Sequence, residues 1–519
     1  MSRAVSSWPP RLVARLLRTR PRCRAGRPGA HGRRAGRLAP ALALGAALGA
    51  AAAPAARAAT LPPENACPTV TGAAAEGSDD AVGVPLREGT AIGMGDLLLI
   101  RELLPPEIWK YREVFFYEGM RLEIGPCFRR YPAGRWYEEA TAAHAGKARI
   151  DDDGNLRDHV AGLPFPPETI APDDPQAGAK WAWNLELRYR GAGPVGSFRI
   201  LDLPDRLGKP ETYTGTFFLV ATANRADLAA SGYRTPEAKS KLWVAGGRFE
   251  EPFNARHLAW RQLRPLDVLR SYGKPDDTFV YVPTMRKARR AASAWVDGLY
   301  TPRYLVSGDS GGGPVPFGST QYGPAGSIQP TAGLSIAATE NLRRGFVGLA
   351  LRPNAYEWRL LEERPVLAPL NASEIGYPEV PERNYGPSGL SVATDRWDVR
   401  QAVVIEGRAK KVVDDLGWLR LWIDAQTAQP LYVISERPNR LGLDVGQLVH
   451  KWSGDDARYP EWPGGGAANV FDPVAALFFD VASGRAGWRR ESYDVRSVPV
   501  DPDKLRAYTT TDTLERRGH

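Results

Sequence analysis

The chain has 519 residues, with 68 Lys and Arg against 59 Asp and Glu, a formal charge of +9. Twelve of its arginines lie within residues 1–58, which contain no Asp, Glu or Lys; setting those twelve aside leaves 56 basic against 59 acidic residues, a net charge of −3. A near-neutral remainder has no net field to hold a phosphate backbone, which sets nucleic-acid binding aside.

The first 58 residues read as an export leader. A basic stretch from Arg3 to Arg37 is followed by an apolar run, Leu38 to Ala53, and then by Ala56-Arg57-Ala58. Basic segment, short apolar segment and small-x-small site are the parts of a signal peptide, with cleavage after Ala58. The apolar run falls short of the roughly 20 residues that span a bilayer, so no transmembrane segment is expected in the mature chain. Arg33-Arg34 invites a twin-arginine reading, but the hydrophobic pair usual after it is missing from Ala35-Gly36-Arg37. Two cysteines remain after cleavage, Cys67 and Cys127. An oxidising compartment would join them in a disulfide; two unpaired thiols are the alternative.

Residues 59–90 are rich in Ala, Pro, Gly and acidic residues without periodicity, which predicts a flexible linker. A single large β-rich domain is expected over 91–505, and a C-terminal tail over 506–519. Two helices open the domain, one from Gly95 to Leu104 capped by Asp96, the other from Pro106 to Phe116, with Pro105-Pro106 between them. A third helical stretch leads up to His144. From about residue 180 the pattern becomes short aromatic and β-branched runs separated by Gly, Pro and Asp. The runs are Trp181–Tyr189, Ser197–Asp202, Tyr213–Ala223, Lys241–Val244, His257–Leu263, Thr278–Pro283, Gly345–Leu351, Tyr356–Leu361, Val399–Gly407, Trp418–Asp424, Leu431–Glu436 and Val445–Trp452. So many strands with no helices between them argue for antiparallel sheet. In Trp418–Asp424, Leu419, Leu421 and Ile423 share one face, and Trp418, Arg420, Trp422 and Asp424 share the other. Asp424 and Thr427 suit the turn that leads into Leu431–Ile434.

Motifs that carry chemistry are few. Ser307-Gly308-Asp309-Ser310-Gly311-Gly312-Gly313-Pro314 looks like the nucleophile segment of a trypsin-like protease, and Thr141-Ala142-Ala143-His144 like its histidine segment. That chemistry needs Ser310 as nucleophile, His144 as base and a buried Asp to orient it. The loop has one Gly too many before Pro314, 209 residues follow Ser310, and His144 lies on a helix pattern. The segment is read as a Gly/Ser loop, and a hydrolase using Ser310 is the least favoured function. The remaining histidines, His144, His159, His257, His450 and His519, have no metal-ligand spacing. No catalytic residue, metal or cofactor is assigned. His257 reads as a structural histidine. The basic run Met285–Arg290 reads as a sheet edge protected by charge, against the alternative of meeting anionic lipid or an acidic partner.

Four segments resemble one family. They are Asp276–Arg290, Asn354–Leu360, Asp395–Arg400 with Val403–Gly407, and the hairpin Leu421–Asp424 to Pro430–Tyr432. In this order they resemble the uncharacterised bacterial domain of unknown function 1329 over roughly residues 95–500. The loop around Ser310 departs from the commoner family pattern, in which an acidic and aromatic segment follows the basic run. The family is similar to the periplasmic lipoprotein carriers of the LolA/LolB type. The resemblance implies an α+β, β-dominated fold: a large curved antiparallel sheet, an incomplete barrel, with helices on its concave side. It implies a periplasmic protein that binds or carries a lipid, lipoprotein or other hydrophobic ligand, and it implies no catalytic residue. The alternative is an envelope accessory protein that serves a protein partner such as a transporter. Which residues would line a ligand cavity is not legible in the sequence.

Overall fold

The computed structural model describes residues 61–71, 83–203, 208–236, 240–253, 256–274, 276–283, 286–290, 303–305, 320–322, 328–330, 335–337, 348–373, 384–413, 415–482, 484 and 486–516. The segment expected to be a leader, the cleavage site expected after Ala58 and the Ser310 segment lie outside them.

The N-terminal part holds β1 (Thr69–Thr71), β2 (Gly83–Pro85), β3 (Ala91–Ile92), a 3-10 helix (Met94–Leu103), α1 (Pro106–Lys110), α2 (Arg112–Phe115) and β4 (Leu122–Cys127). After these come α3 (Arg135–His144), the two-residue strands β5 (Arg149–Ile150) and β6 (Leu156–Arg157), and α4 (Ala177–Glu186). Six strands follow: β7 (Val195–Leu203), β8 (Glu211–Ala221), β9 (Lys241–Glu251), β10 (Ala259–Pro265), β11 (Asp277–Val282) and β12 (Lys287–Arg290). Short strands β13 (Arg303–Leu305), β14 (Thr320–Tyr322), β15 (Ile328–Pro330) and β16 (Ser335–Ala337) pair only among themselves. The chain then forms β17 (Tyr356–Ala368), β18 (Arg396–Val413), β19 (Leu416–Asp424), β20 (Pro430–Glu436), β21 (Gly442–Trp452), β22 (Phe471–Asp480) and β23 (Trp488–Arg496). It ends on α5 (Pro502–Thr509) and α6 (Asp512–Arg516).

Fifteen strands form one sheet in the order β12-β11-β10-β9-β8-β7-β23-β22-β21-β20-β19-β18-β4-β3, with β17 on the other edge of β18. The large open sheet expected from the sequence is therefore present, and its two ends do not meet to close a barrel. It is mixed by a single pair: β4 runs parallel to the start of β18, and every other pairing in the sheet is antiparallel. β12, which holds Lys287 to Arg290, is the edge strand, where charge discourages pairing with another chain.

Each face of the sheet buries its own core. Leu419, Leu421 and Ile423 pack with Val403, Ile405 and the tryptophans of α4. Trp422, Val404, Ile434 and Phe479 pack on the opposite face against Leu97, Ile100, Ile108 and Phe115 of the N-terminal helical segment. The alternation read in Trp418–Asp424 is thus realised, with a helical cover on both faces.

The helical readings need correction. Trp181–Tyr189 is not a strand: its residues through Glu186 belong to α4. Eight of the ten α4 residues are buried, so no polar stripe betrays the helical period. Gly178 lets α4 lie against β17, because a Cβ there would sit 2.6 Å from the carbonyl carbon of Arg359. Residues 348–351 of the expected strand Gly345–Leu351 are irregular. The stretch Gly95–Leu104 forms a 3-10 helix capped at Gly93, and Asp96 accepts from the Gly93 N–H at 3.4 Å instead of standing at the cap. The second helix breaks at Tyr111 into α1 and α2. His257 falls in the β9–β10 turn at φ +72°, beside Arg248, instead of in a strand.

The segment read as a linker contains β1 and β2, which pair with each other, and Cys67, which is bonded to Cys127 of β4 with a Cα–Cα distance of 5.0 Å. In the segment read as a tail, Tyr508 stacks on Phe218 at 3.7 Å. Reduction of a protein spanning residues 59–519 is expected to raise its mass by two hydrogens without releasing a fragment, as intact-mass spectrometry would show. Gly178→Ala is expected to destabilise by about 1–3 kcal/mol in denaturant unfolding, because the clash with backbone exceeds the roughly 1 kcal/mol that Ala gains over Gly in a helix.

Candidate functional site

A cleft of about 460 Å³ opens between α3, the loop over residues 163–168 and the end of the sheet. Its walls are Tyr131, Tyr137, Leu163, Pro166, Pro167, Tyr189 and Phe471, with the exposed Ala142 of α3 and Ala145 just past its end at the mouth. The volume and the apolar lining match those of small-molecule sites.

Local interactions hold each wall. The Thr141 hydroxyl donates to the Tyr137 carbonyl at 2.8 Å and accepts from the Leu163 N–H at 2.9 Å, which ties the loop to α3. Gly162 (φ +80°) makes this approach sterically feasible, since a Cβ there would lie 2.5 Å from the Thr141 nitrogen. The buried amide of Asn184 on α4 clips the same loop, accepting from the Phe165 N–H at 3.0 Å and donating to the Phe165 carbonyl at 2.6 Å.

The floor is the turn between β19 and β20. Asp424 accepts from the Thr427 N–H at 2.9 Å, the turn contact expected from the sequence. Arg400 reaches Asp424 at 2.8 and 3.2 Å, Gln426 Oε1 at 3.0 Å and the Arg129 carbonyl at 2.6 Å. Gln429 accepts from Arg188 Nε at 2.9 Å. The tyrosine hydroxyls are all satisfied inside the protein: Tyr137 donates to the Leu187 carbonyl at 2.7 Å, Tyr189 to the Ala468 carbonyl at 2.6 Å, and Tyr131 to Asp398. Their rings are thereby fixed in orientation, and burial drives their pKa values upward.

A second cleft of about 470 Å³ lies at the other end of β20 and β21, against α1. Its charges are largely paired: Arg440 with Glu436 at 2.9 Å and with Glu406 at 2.8 Å, and Glu107 with Arg420 at 2.7 Å. The three arginines around Glu406, Arg359 included, hold its carboxyl down at about 2 against the cost of its burial. Paired charges of this kind make the second cleft a mixed-charge surface, and the α3 cleft is the better candidate for an apolar ligand.

His144, the only described member of the protease-like pair, faces the Tyr233 hydroxyl at 3.1 Å and Lys147 Nζ at 3.0 Å, so neither ring nitrogen meets a carboxylate. Among the described residues no cluster of three or more His, Cys, Asp or Glu converges as a metal site. The sequence reading named no cleft residue as a ligand-binding candidate. The β19–β20 turn was recognised as a turn, but nothing in its pattern marks it as the floor of a site.

Two buried aspartates flank this end of the sheet. Burial raises Asp398 to about 6 and Asp472, which accepts from the Ser497 hydroxyl, to about 7. A raised carboxyl pKa means that the folded state holds its proton more tightly than the unfolded chain. The corresponding stability is present at low pH and is lost as pH rises through the folded value. For Asp472 this amounts to about 2–3 kcal/mol between about pH 5 and pH 8. Buried His159 and His450, whose pKa values burial lowers, act in the opposite direction over the same range, so the test is the difference between variants: the change in denaturant midpoint from about pH 5 to pH 8 should be more positive in Asp472→Asn than in the wild type.

Residues 103–304 match the family model described as "Protein of unknown function (DUF1329)". No curated protein matches the chain. Among solved structures, a putative outer membrane lipoprotein-sorting protein domain from Vibrio parahaemolyticus is 11% identical, with a TM-score of 0.36, covering 66% of this chain and 100% of its own. A DUF1329 family protein from Desulfovibrio piger ATCC 29098 is 12% identical, with a TM-score of 0.36, covering 66% of this chain and 99% of its own. A LolA superfamily protein from Nitrosomonas europaea is 11% identical, with a TM-score of 0.31, covering 64% and 96%. Among the described residues no helix is long and apolar enough to cross a membrane. Of the four segments that resemble this family, Asp276–Arg290 lies within the matched residues 103–304, and the other three lie beyond them.

Proposed function

We propose that this is a non-enzymatic binding or carrier protein of the bacterial cell envelope, working in the periplasm on a lipid, an acylated peptide or another hydrophobic ligand. The observation that carries this reading is the α3 cleft, a concave, largely apolar site of about 460 Å³ whose tyrosine hydroxyls are already hydrogen-bonded within the protein. A site so lined gains from removing apolar surface from water. The signal-peptide pattern of residues 1–58 and the Cys67–Cys127 bond support an oxidising, extracytoplasmic setting.

A second reading is an envelope accessory protein that docks a protein partner. Phe253 favours it, being 90% exposed in the turn that follows β9. A lone exposed aromatic is weaker support than a built cleft, since single surface apolar residues are ordinary.

Purification of the mature protein from the periplasm, followed by solvent extraction and mass spectrometry, is expected to yield a stoichiometric apolar ligand. Ala142→Trp, at an exposed α3 position on the cleft mouth, is expected to lose that ligand while keeping the unfolding midpoint of the wild type. Clean protein from both would end the carrier reading and make recovery of an envelope partner the next experiment.

A further inference from the structure

The α3 cleft has a one-sided charge lining. Its ionisable side chains, tyrosines aside, are Glu138 on α3 and Glu168 in the loop, and no Lys, Arg or His lines it. Both glutamates are exposed, and among the described residues neither is ion-paired. Glu138 Oε1 accepts from the Ala133 N–H at 3.0 Å, which aims this carboxylate across the start of α3.

Basic side chains around the cleft have acidic partners of their own, Arg135 of α3 with Glu139 at 3.5 Å among them. Arg129 is bound to Asp455 through two hydrogen bonds of 2.7 Å. Arg400 is bound to Asp424 beneath the floor, at 2.8 and 3.2 Å. The buried rings also favour positive charge: Tyr137 and Tyr189 lie with centroids 5.0 Å apart at the cleft wall, and an aromatic face attracts cations.

From this lining we infer that the cleft selects among apolar ligands by the charge of their polar end, taking those that end in an ammonium or another cation and disfavouring carboxylates and phosphates. The inference rests on the carrier reading and narrows its ligand class. Hydrocarbon would lie against Leu163, Pro166, Pro167 and Phe471, and the cationic end would stand at the mouth between Glu138 and Glu168. Because both carboxylates are solvated, the preference is modest and weakens with salt.

Competition against a neutral apolar fluorophore tests this with three probes of one chain length, used below their micelle-forming concentrations: dodecyltrimethylammonium, dodecanol and dodecanoate. At low ionic strength the ammonium is expected to compete at about one-tenth the concentration of the carboxylate, with the alcohol between them. Glu138→Gln combined with Glu168→Gln should bring the three together and leave the alcohol unchanged. Dodecanoate binding as well as the ammonium, or a ratio unaltered in the double variant, would overturn the charge selection. If binding in that case is still blocked by Ala142→Trp, the carrier reading survives without it. Failure of all three probes to bind would overturn both.

Discussion

A cluster of buried charge around the end of α4 fixes how the chain re-enters the sheet. Arg264, Arg352, Glu186 and Asp276 are each at most 2% exposed, and Arg188 is 5% exposed. Asp276 accepts from Gln262 at 2.8 Å, from Arg264 and from Arg352. Glu186 accepts from the Leu351 N–H at 2.6 Å, Arg188 donates to the Gly348 carbonyl at 2.6 Å, and Arg264 donates to the Leu351 carbonyl at 2.8 Å. Residues 348–352 have no ladder of their own, so side chains from α4 and β10 satisfy their backbone. Buried ion pairs seldom add net stability over apolar packing, but removal of one partner leaves an uncompensated charge and costs about 3–5 kcal/mol. Their effect here is positional: they set the point at which β17 begins and therefore its register on β18.

The same cluster reaches the candidate site. Arg188 donates from one end to Gly348 and from another to Gln429 in the turn that floors the cleft. Asn184, one turn earlier on α4, holds the loop that forms the opposite wall. Helix α4 thus fills one face of the sheet with Trp181 and Trp183, and Asn184 on it and Arg188 just past its end position the two sides of the cleft. A site on such supports keeps its shape without a ligand, because every wall is anchored by buried hydrogen bonds.

Much of the sheet was legible in the sequence. The strands around Val399–Gly407, Trp418–Asp424, Leu431–Glu436 and Val445–Trp452 were found because a side-chain period of two is a local property, and each falls within an observed strand. Strands β22 and β23 were missed. β22 is buried along most of its length and β23 interleaves charged residues that end up buried, such as Arg489 and Glu491, so neither shows a clean apolar/polar alternation. Helix α4 reads as a strand for a related reason: a helix buried nearly all round loses its amphipathic stripe.

The sequence by itself determined the local features of this protein: a β-dominated chain, the alternation that commits each strand to two faces, and the Asp424–Thr427 turn. Only the tertiary structure decided that both faces are covered, that β4 enters parallel beside β18, and that a cleft exists. The cleft draws on residues 131–145, 163–168, 189, 426–429 and 469–471, which are far apart in the chain. Periodicity reports what a segment does with its own neighbours. A cavity depends on which distant segments are brought together and on how the buried charges of α4 hold them, and no short window of sequence contains that information.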